Sequence, residues 1–179
     1  MIGWRALTDD ASARRPVERP WAYLITFSCY GTRLHGRDPY SVDRRRNGWK
    51  TPYLSPSASL HQHRQKALSE PPAKLNSHER ETVLEAIIDV CEHDGFDLHA
   101  AHVRSDHVHV VVGGDAEASR ILQRIKVYSS RALNRRFGHK KHRWTTHGST
   151  VHLWHPRKVS EAVDYVVNQQ GRPMAHYVR

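Results

Sequence analysis

Two histidines separated by one valine, His107-Val108-His109, lie in the apolar run DHVHVVV (106–112), and Tyr165 and Gln169 follow far downstream, four residues apart. In a strand, side chains two apart project from the same face, so the two imidazoles can grip one metal ion while Val108, Val110 and Val112 pack behind them. In a helix, a spacing of four puts two side chains on the same side, one turn apart. A nucleophilic phenol and a further metal ligand can then arrive together. Two imidazoles, a metal and a phenol suit the breakage of a phosphodiester.

Each of these residues also has an ordinary role. A His-x-His on a strand can be the wetter face of an amphipathic sheet, and with 15 histidines in 179 residues such pairs arise by chance; His61-Gln62-His63 is another. What singles out His107 and His109 is the β-rich run with valine on its other side, together with the downstream constellation. On the last expected helix Val159, Ala162, Val163 and Val166 cluster on one side. Tyr165 lies roughly 110° from the middle of that cluster and Gln169 about 40° from Tyr165, so both stand off the core stripe. Tyr128, the rival nucleophile, falls among Ile121, Ile125 and Ala132 and reads as a packing residue.

The charge is concentrated. From Ala118 to Ser160 there is no Asp or Glu, while Arg120, Arg124, Lys126, Arg131, Arg135, Arg136, Lys140, Lys141, Arg143, Arg157 and Lys158 are all positive; this stretch alone exceeds the net +10 of the chain. Phosphate neutralisation with counterion release needs such a surface, so a nucleic acid is the expected partner. The alternative is a solvated basic face. Cys29 and Cys91 show no repeated spacing, which argues against a disulfide framework or a cysteine zinc site and agrees with a reducing compartment. No stretch approaches the roughly 18 apolar residues of a membrane span, and the first residues lack the apolar core of a signal peptide. The expected setting is the cytoplasm, in association with the nucleoid.

These side chains need elements to position them. Residues 1–19 are polar and read as a flexible arm, and residues 20–175 as a single domain. WAYLITFS (21–28) is β-branched and aromatic enough for a strand buried on both faces. Residues 30–76 form a long insertion punctuated by glycine and proline, too broken for long regular elements. Its Arg44, Arg45, Arg46, Trp49 and Tyr53 would suit phosphate contact and base stacking. A helix capped by Ser77 should run from His78 to Gly95, followed by a strand from Phe96 to Val103 and a tight turn at 104–106 into the histidine strand. A longer helix from about Ala116 to Phe137 should turn Ile121, Ile125, Tyr128 and Ala132 to the core and Arg120, Arg124, Arg131 and Arg135 to another side. A strand at 146–155 and a helix from Arg157 to Gln170, stopped by Gly171 and Pro173, complete the order.

That order is βαββαβ with one helix to spare. It predicts an α+β, ferredoxin-like (RRM-like) sandwich: an antiparallel sheet with two helices on one face, the first strand and the histidine strand in its middle. The extra C-terminal helix, bearing Tyr165, can then lie across the open face that displays His107 and His109.

The pattern D-H-V-H-V-V-V in a strand, followed by Y-V-V-N-Q on a C-terminal helix, resembles the single-tyrosine HUH transposases, and the opening WAYLITFSCYGTRLHG is similar to the start of the REP-associated tyrosine transposases. The resemblance spans roughly residues 20–175. It implies that His107, His109 and Gln169 ligate Mg²⁺ or Mn²⁺ and that Tyr165 is the nucleophile. It also implies a metal-dependent endonuclease and strand transferase acting on single-stranded DNA beside a hairpin, through a 5′-phosphotyrosine with a free 3′-hydroxyl, as monomer or homodimer. On this reading Arg120, Arg124, Arg131, Arg135, Lys140, Lys141, Arg44, Arg45 and Arg46 contact DNA. The ending NQQGRPMA has the Tyr-x-x-x-Gln form, where the REP-associated branch often has asparagine-proline. Three alternatives remain open: a catalytically inactive or domesticated nucleic-acid-binding protein of the same fold, a relaxase or replication initiator, and an RRM-type module. The last would carry aromatics where this strand carries histidines.

Overall fold

A computed structural model describes residues 19–34 and 57–179. The expected N-terminal arm, up to residue 18, and Arg44, Arg45 and Arg46 lie outside the described residues. Alternation sets the first element. In strand β1 (Ala22–Cys29), Tyr23, Ile25, Phe27 and Cys29 enter one apolar core, while Ala22 and Leu24 enter a second on the opposite face. Helix α1 (Ala58–Lys66) follows, capped by Ser57, with no buried residue. It lies inside the insertion that was expected to hold no long element, and its few apolar residues give no helical stripe from which to read it. His61 and His63 sit on this helix, where a spacing of two sends side chains in different directions.

Helix α2 (Ser77–Asp94) is capped by Asn76 rather than by Ser77. The reason is reciprocal. Asn76 accepts the Glu79 N–H at 2.9 Å and the Glu79 carboxylate accepts the Asn76 N–H at 2.9 Å, whereas the residue three after Ser77 is Arg80, which has no oxygen to return the bond. Gly95, at φ 69°, closes the helix in the left-handed conformation.

Strands β2 (Asp97–Val103) and β3 (His107–Gly113) form the expected hairpin. Helix α3 (Ala118–Phe137) buries Ala118, Ile121, Ile125, Ser129 and Leu133. The core stripe is thus rotated slightly from the expected one, and Tyr128 sits half-buried at its flank. Strand β4 (Trp144–Leu153), helix α4 (Pro156–Asn168) and a short strand β5 (Ala175–Val178) complete the chain.

The sheet is wholly antiparallel, in the order β4-β1-β3-β2-β5. β1 and β3 are interior strands, as their apolar runs require. β5, which adds a fifth strand to the four expected, is only four residues long and carries too short a pattern to be read locally. α2 and α3 cover the face formed by Ile25, Phe27, Val108, Val110 and Val112. α4 covers the other face through Ala162 and Val166, against Ala22, Ala100, Val111 and Leu153. The close approach of β4 to β1 depends on Gly148. A Cβ there would lie 2.7 Å from the Thr26 carbonyl oxygen and 3.0 Å from Leu122. Among the described residues no helix is long and apolar enough to cross a membrane.

Candidate active site

Period-two alternation on β3 sends Val108, Val110 and Val112 into the core beneath α2 and α3, and His107 and His109 to the face beneath α4. Their ring centroids are 4.8 Å apart, edge to face. Each ring is held through one nitrogen. Nδ1 of His107 lies 2.6 Å from Asp106 Oδ1, and Nδ1 of His109 lies 2.8 Å from the Thr26 hydroxyl on the neighbouring strand. Such anchoring fixes ring orientation, and the carboxylate raises the basicity of the far nitrogen. Nε2 is then the nitrogen each ring can offer to an ion.

Both rings favour the neutral form. Burial lowers the pKa of His107, helped by Arg33 and Arg104, while Asp106 opposes the shift. For His109 burial is again the largest cause, followed by His107 and Arg33, and its pKa is pushed down to about 4. A neutral imidazole is the form a metal binds.

Helix α4 delivers the tyrosine to this pair. Its apolar stripe docks on β1, β2 and β3, and Tyr165, beside that stripe, places its ring 5.7 Å from that of His109 at an interplanar angle of 80°. The ring stays 39% exposed, enough for a substrate to reach the phenol. Tyr128 lies on α3, on the other side of the sheet, and its hydroxyl accepts from Arg124. It is a packing residue, as its helical position implied.

Gln169 is not turned toward the pair. Helix α4 ends at Asn168, and the Gln169 amide donates to Asp164 at 2.7 Å. The next amide along, Gln170, is close enough to His109 to influence its titration, and its side chain donates to the Tyr165 carbonyl at 3.0 Å. The i, i+4 spacing assumes a helix continuing through residue 169; the helix ends one residue earlier, and the Gln169 amide is held by Asp164. Among the described residues no cluster of three or more His, Cys, Asp or Glu could hold an ion. The donors that fit one here are two imidazoles and an amide.

The basic side chains divide between two surfaces. The α3 stripe lies with the helical layer, across the sheet from the histidines. Arg124 is engaged there by Asp94, at 2.5 and 2.7 Å, and stacks over Tyr128. Arg131 and Arg135 line a cleft of about 560 Å³ between α2 and α3, which also holds Glu85 and Asp89. Arg120 is exposed on the same layer. Lys140 and Lys141 are exposed in the loop before β4. That loop is tied to the end of β1 by the stacked rings of His142 and Tyr30, and β1 ends against Asp106 through Cys29 N–H. They therefore stand at the end of the sheet where His107 begins. Arg33 and Arg104 are within electrostatic reach of His107. Reading the chain element by element missed Thr26, Asp106, Arg104 and Gln170. Asp106 adjoins His107 in sequence and was the one that could have been found.

Interior β1 and β3, two histidines on one sheet face and a tyrosine helix packed over them make the architecture of the HUH single-tyrosine transposases. The IS200-like transposase family model matches residues 72–172, a span that contains His107, His109 and Tyr165, and the chain belongs to that family. None of the curated proteins matches it. Among solved structures it is similar to a REP-associated tyrosine transposase bound to a REP hairpin, at 16% identity and a TM-score of 0.51, covering 87% of this chain and 70% of that one. At that identity the likeness speaks for the fold.

Proposed function

We propose that this chain nicks and rejoins single-stranded DNA beside a hairpin, with Tyr165 as nucleophile. The observation that carries the reading is the placement of Tyr165 against His109, on the face where His107 and His109 converge. In the cleavage step the Tyr165 oxygen bonds to phosphorus and the bond from phosphorus to the 3′-oxygen breaks. The phenol gives up its proton and the departing 3′-oxygen gains one, leaving a 5′-phosphotyrosine and a free 3′-hydroxyl. The covalent link keeps the energy of the broken bond, so attack by a 3′-hydroxyl reverses the step without ATP. His107 and His109 would hold Mg²⁺ or Mn²⁺ with an amide oxygen, which Gln170, close to His109, would supply, since Gln169 would first have to leave Asp164. Bound there, the cation supplies Lewis-acid polarisation of the scissile phosphate. Asp106 and Thr26 orient the two rings. Lys140 and Lys141, at the end of the sheet where His107 begins, and Arg33 and Arg104, near His107, neutralise backbone phosphates. The hairpin-bound state of the similar solved structure favours a hairpin substrate.

The test is a covalent-adduct gel. Wild-type protein, Mn²⁺ and a single-stranded oligonucleotide with a hairpin should give a protein–DNA species that survives denaturation. Tyr165→Phe should bind the same DNA and form none. An adduct in that variant would show that the nucleophile lies elsewhere.

A further inference from the structure

Strand β2 presents a third histidine on the face beneath α4. His102 is fully buried and stands opposite His109 in the β2–β3 register, yet both of its ring nitrogens are committed elsewhere. Nδ1 lies 2.8 Å from the Val166 carbonyl oxygen, and Nε2 lies 3.2 Å from the Met174 nitrogen. A carbonyl can only accept and a backbone N–H can only donate, so the ring is neutral with its proton on Nδ1. One side chain thereby joins strand β2 to two successive segments of the chain.

Those segments are the ones that aim the tyrosine. Val166 follows Tyr165 directly and belongs to the last turn of α4, where carbonyls lack partners within the helix. The Tyr165 carbonyl is met by Gln169 N–H and the Gln170 side chain; the Val166 carbonyl is met by His102. Met174 stands just before β5, which pairs with β2. Arg104 adds a second tie by donating to the Arg172 carbonyl at 2.6 Å. With its last turn fastened at a backbone atom adjacent to Tyr165, the helix can neither rotate nor slide without breaking a buried hydrogen bond.

We infer that His102 is a positioning residue for Tyr165: it fastens the end of the tyrosine helix and the turn after it to the sheet of its own chain, and so holds the phenol against His109. This rests on the reading of Tyr165 as nucleophile, but the geometry it asserts can be measured without catalysis. His102→Gln retains a donor and an acceptor; His102→Leu has neither. With 3-fluorotyrosine at position 165, the ¹⁹F resonance should be single in wild type, broadened or split in the Leu variant, and largely restored in the Gln variant. Single-turnover adduct formation in the Leu variant should fall by between about tenfold and a hundredfold, as for a misplaced reacting group. DNA affinity should stay within about twofold, because phosphate contacts carry binding.

If the Leu variant leaves both the ¹⁹F signal and the adduct rate unchanged, the inference is overturned. A wild type that forms no adduct while its ¹⁹F signal still responds to His102→Leu refutes the nucleophile and upholds the positioning. Should the Leu variant not fold, ¹⁵N-histidine spectra of the wild type decide. A His102 with its proton on Nδ1, unmoved by Mg²⁺, supports the role. A His102 protonated on Nε2, or shifting with Mg²⁺ as a metal ligand would, overturns it.

Discussion

His109 offers a quantitative test of how the fold prepares the site. Its residue is 5% exposed, and burial, aided by His107 and Arg33, carries its pKa from an ordinary 6.5 to about 4. Between those values the unfolded chain binds a proton that the folded chain refuses. The contribution of a neutral His109 is therefore complete above about pH 6.5 and is lost as the pH falls toward 4. The gap corresponds to about 3 kcal/mol, at about 1.36 kcal/mol per pH unit. Urea denaturation of the wild type and of His109→Asn at pH 7 and pH 4 measures it, since other titrating groups are common to both proteins. Between the two pH values the wild type should lose about 3 kcal/mol more than the variant. Equal losses would refute the argument that the sheet and α4 hold this ring neutral. Metal affinity should follow the same logic: a neutral imidazole is required, so Mn²⁺ binding should persist below pH 6.5, where an unburied histidine pair would already have released the ion.

Two further outcomes follow from where the structure places particular side chains. Replacing Lys140 and Lys141 with alanine should weaken single-stranded DNA binding and reduce its salt slope by about two phosphate contacts, whereas replacing Arg131 and Arg135, across the sheet, should change affinity by less than about twofold; fluorescence anisotropy against salt concentration checks both, and the reverse ranking would place the DNA on the helical layer. Gln170→Ala should lower Mn²⁺ affinity by between about tenfold and a hundredfold while Gln169→Ala leaves it nearly unchanged; calorimetric titration distinguishes them, and a larger loss in the Gln169 variant would mean that the end of α4 rewinds when metal binds.

Several features were legible before any coordinates, because each depends only on the period of its own element. Alternation along DHVHVVV puts both histidines opposite three valines whatever surrounds the strand, and the same argument sends Tyr165 beside, rather than into, the stripe of Val159, Ala162, Val163 and Val166. The order of elements, with a helix to spare, was enough for a sandwich carrying the tyrosine helix on its open face. Where a reading depended on a partner distant in sequence, the chain was silent. Strand β5 exists because β2 has a free edge to receive it. Arg120, Arg124, Arg131 and Arg135 share one side of a helix that the expected sandwich already set on the face away from the histidines, but that Asp94 engages Arg124 and that Glu85 and Asp89 share a cleft with Arg131 and Arg135 are tertiary facts. Which way the Gln169 amide turns depends on where α4 ends and on its hydrogen bond to Asp164. Sequence by itself thus determined which chemical groups share a face. Only the tertiary structure decided which faces meet, since helical and strand periods orient a side chain about its own axis and say nothing of what is packed across from it.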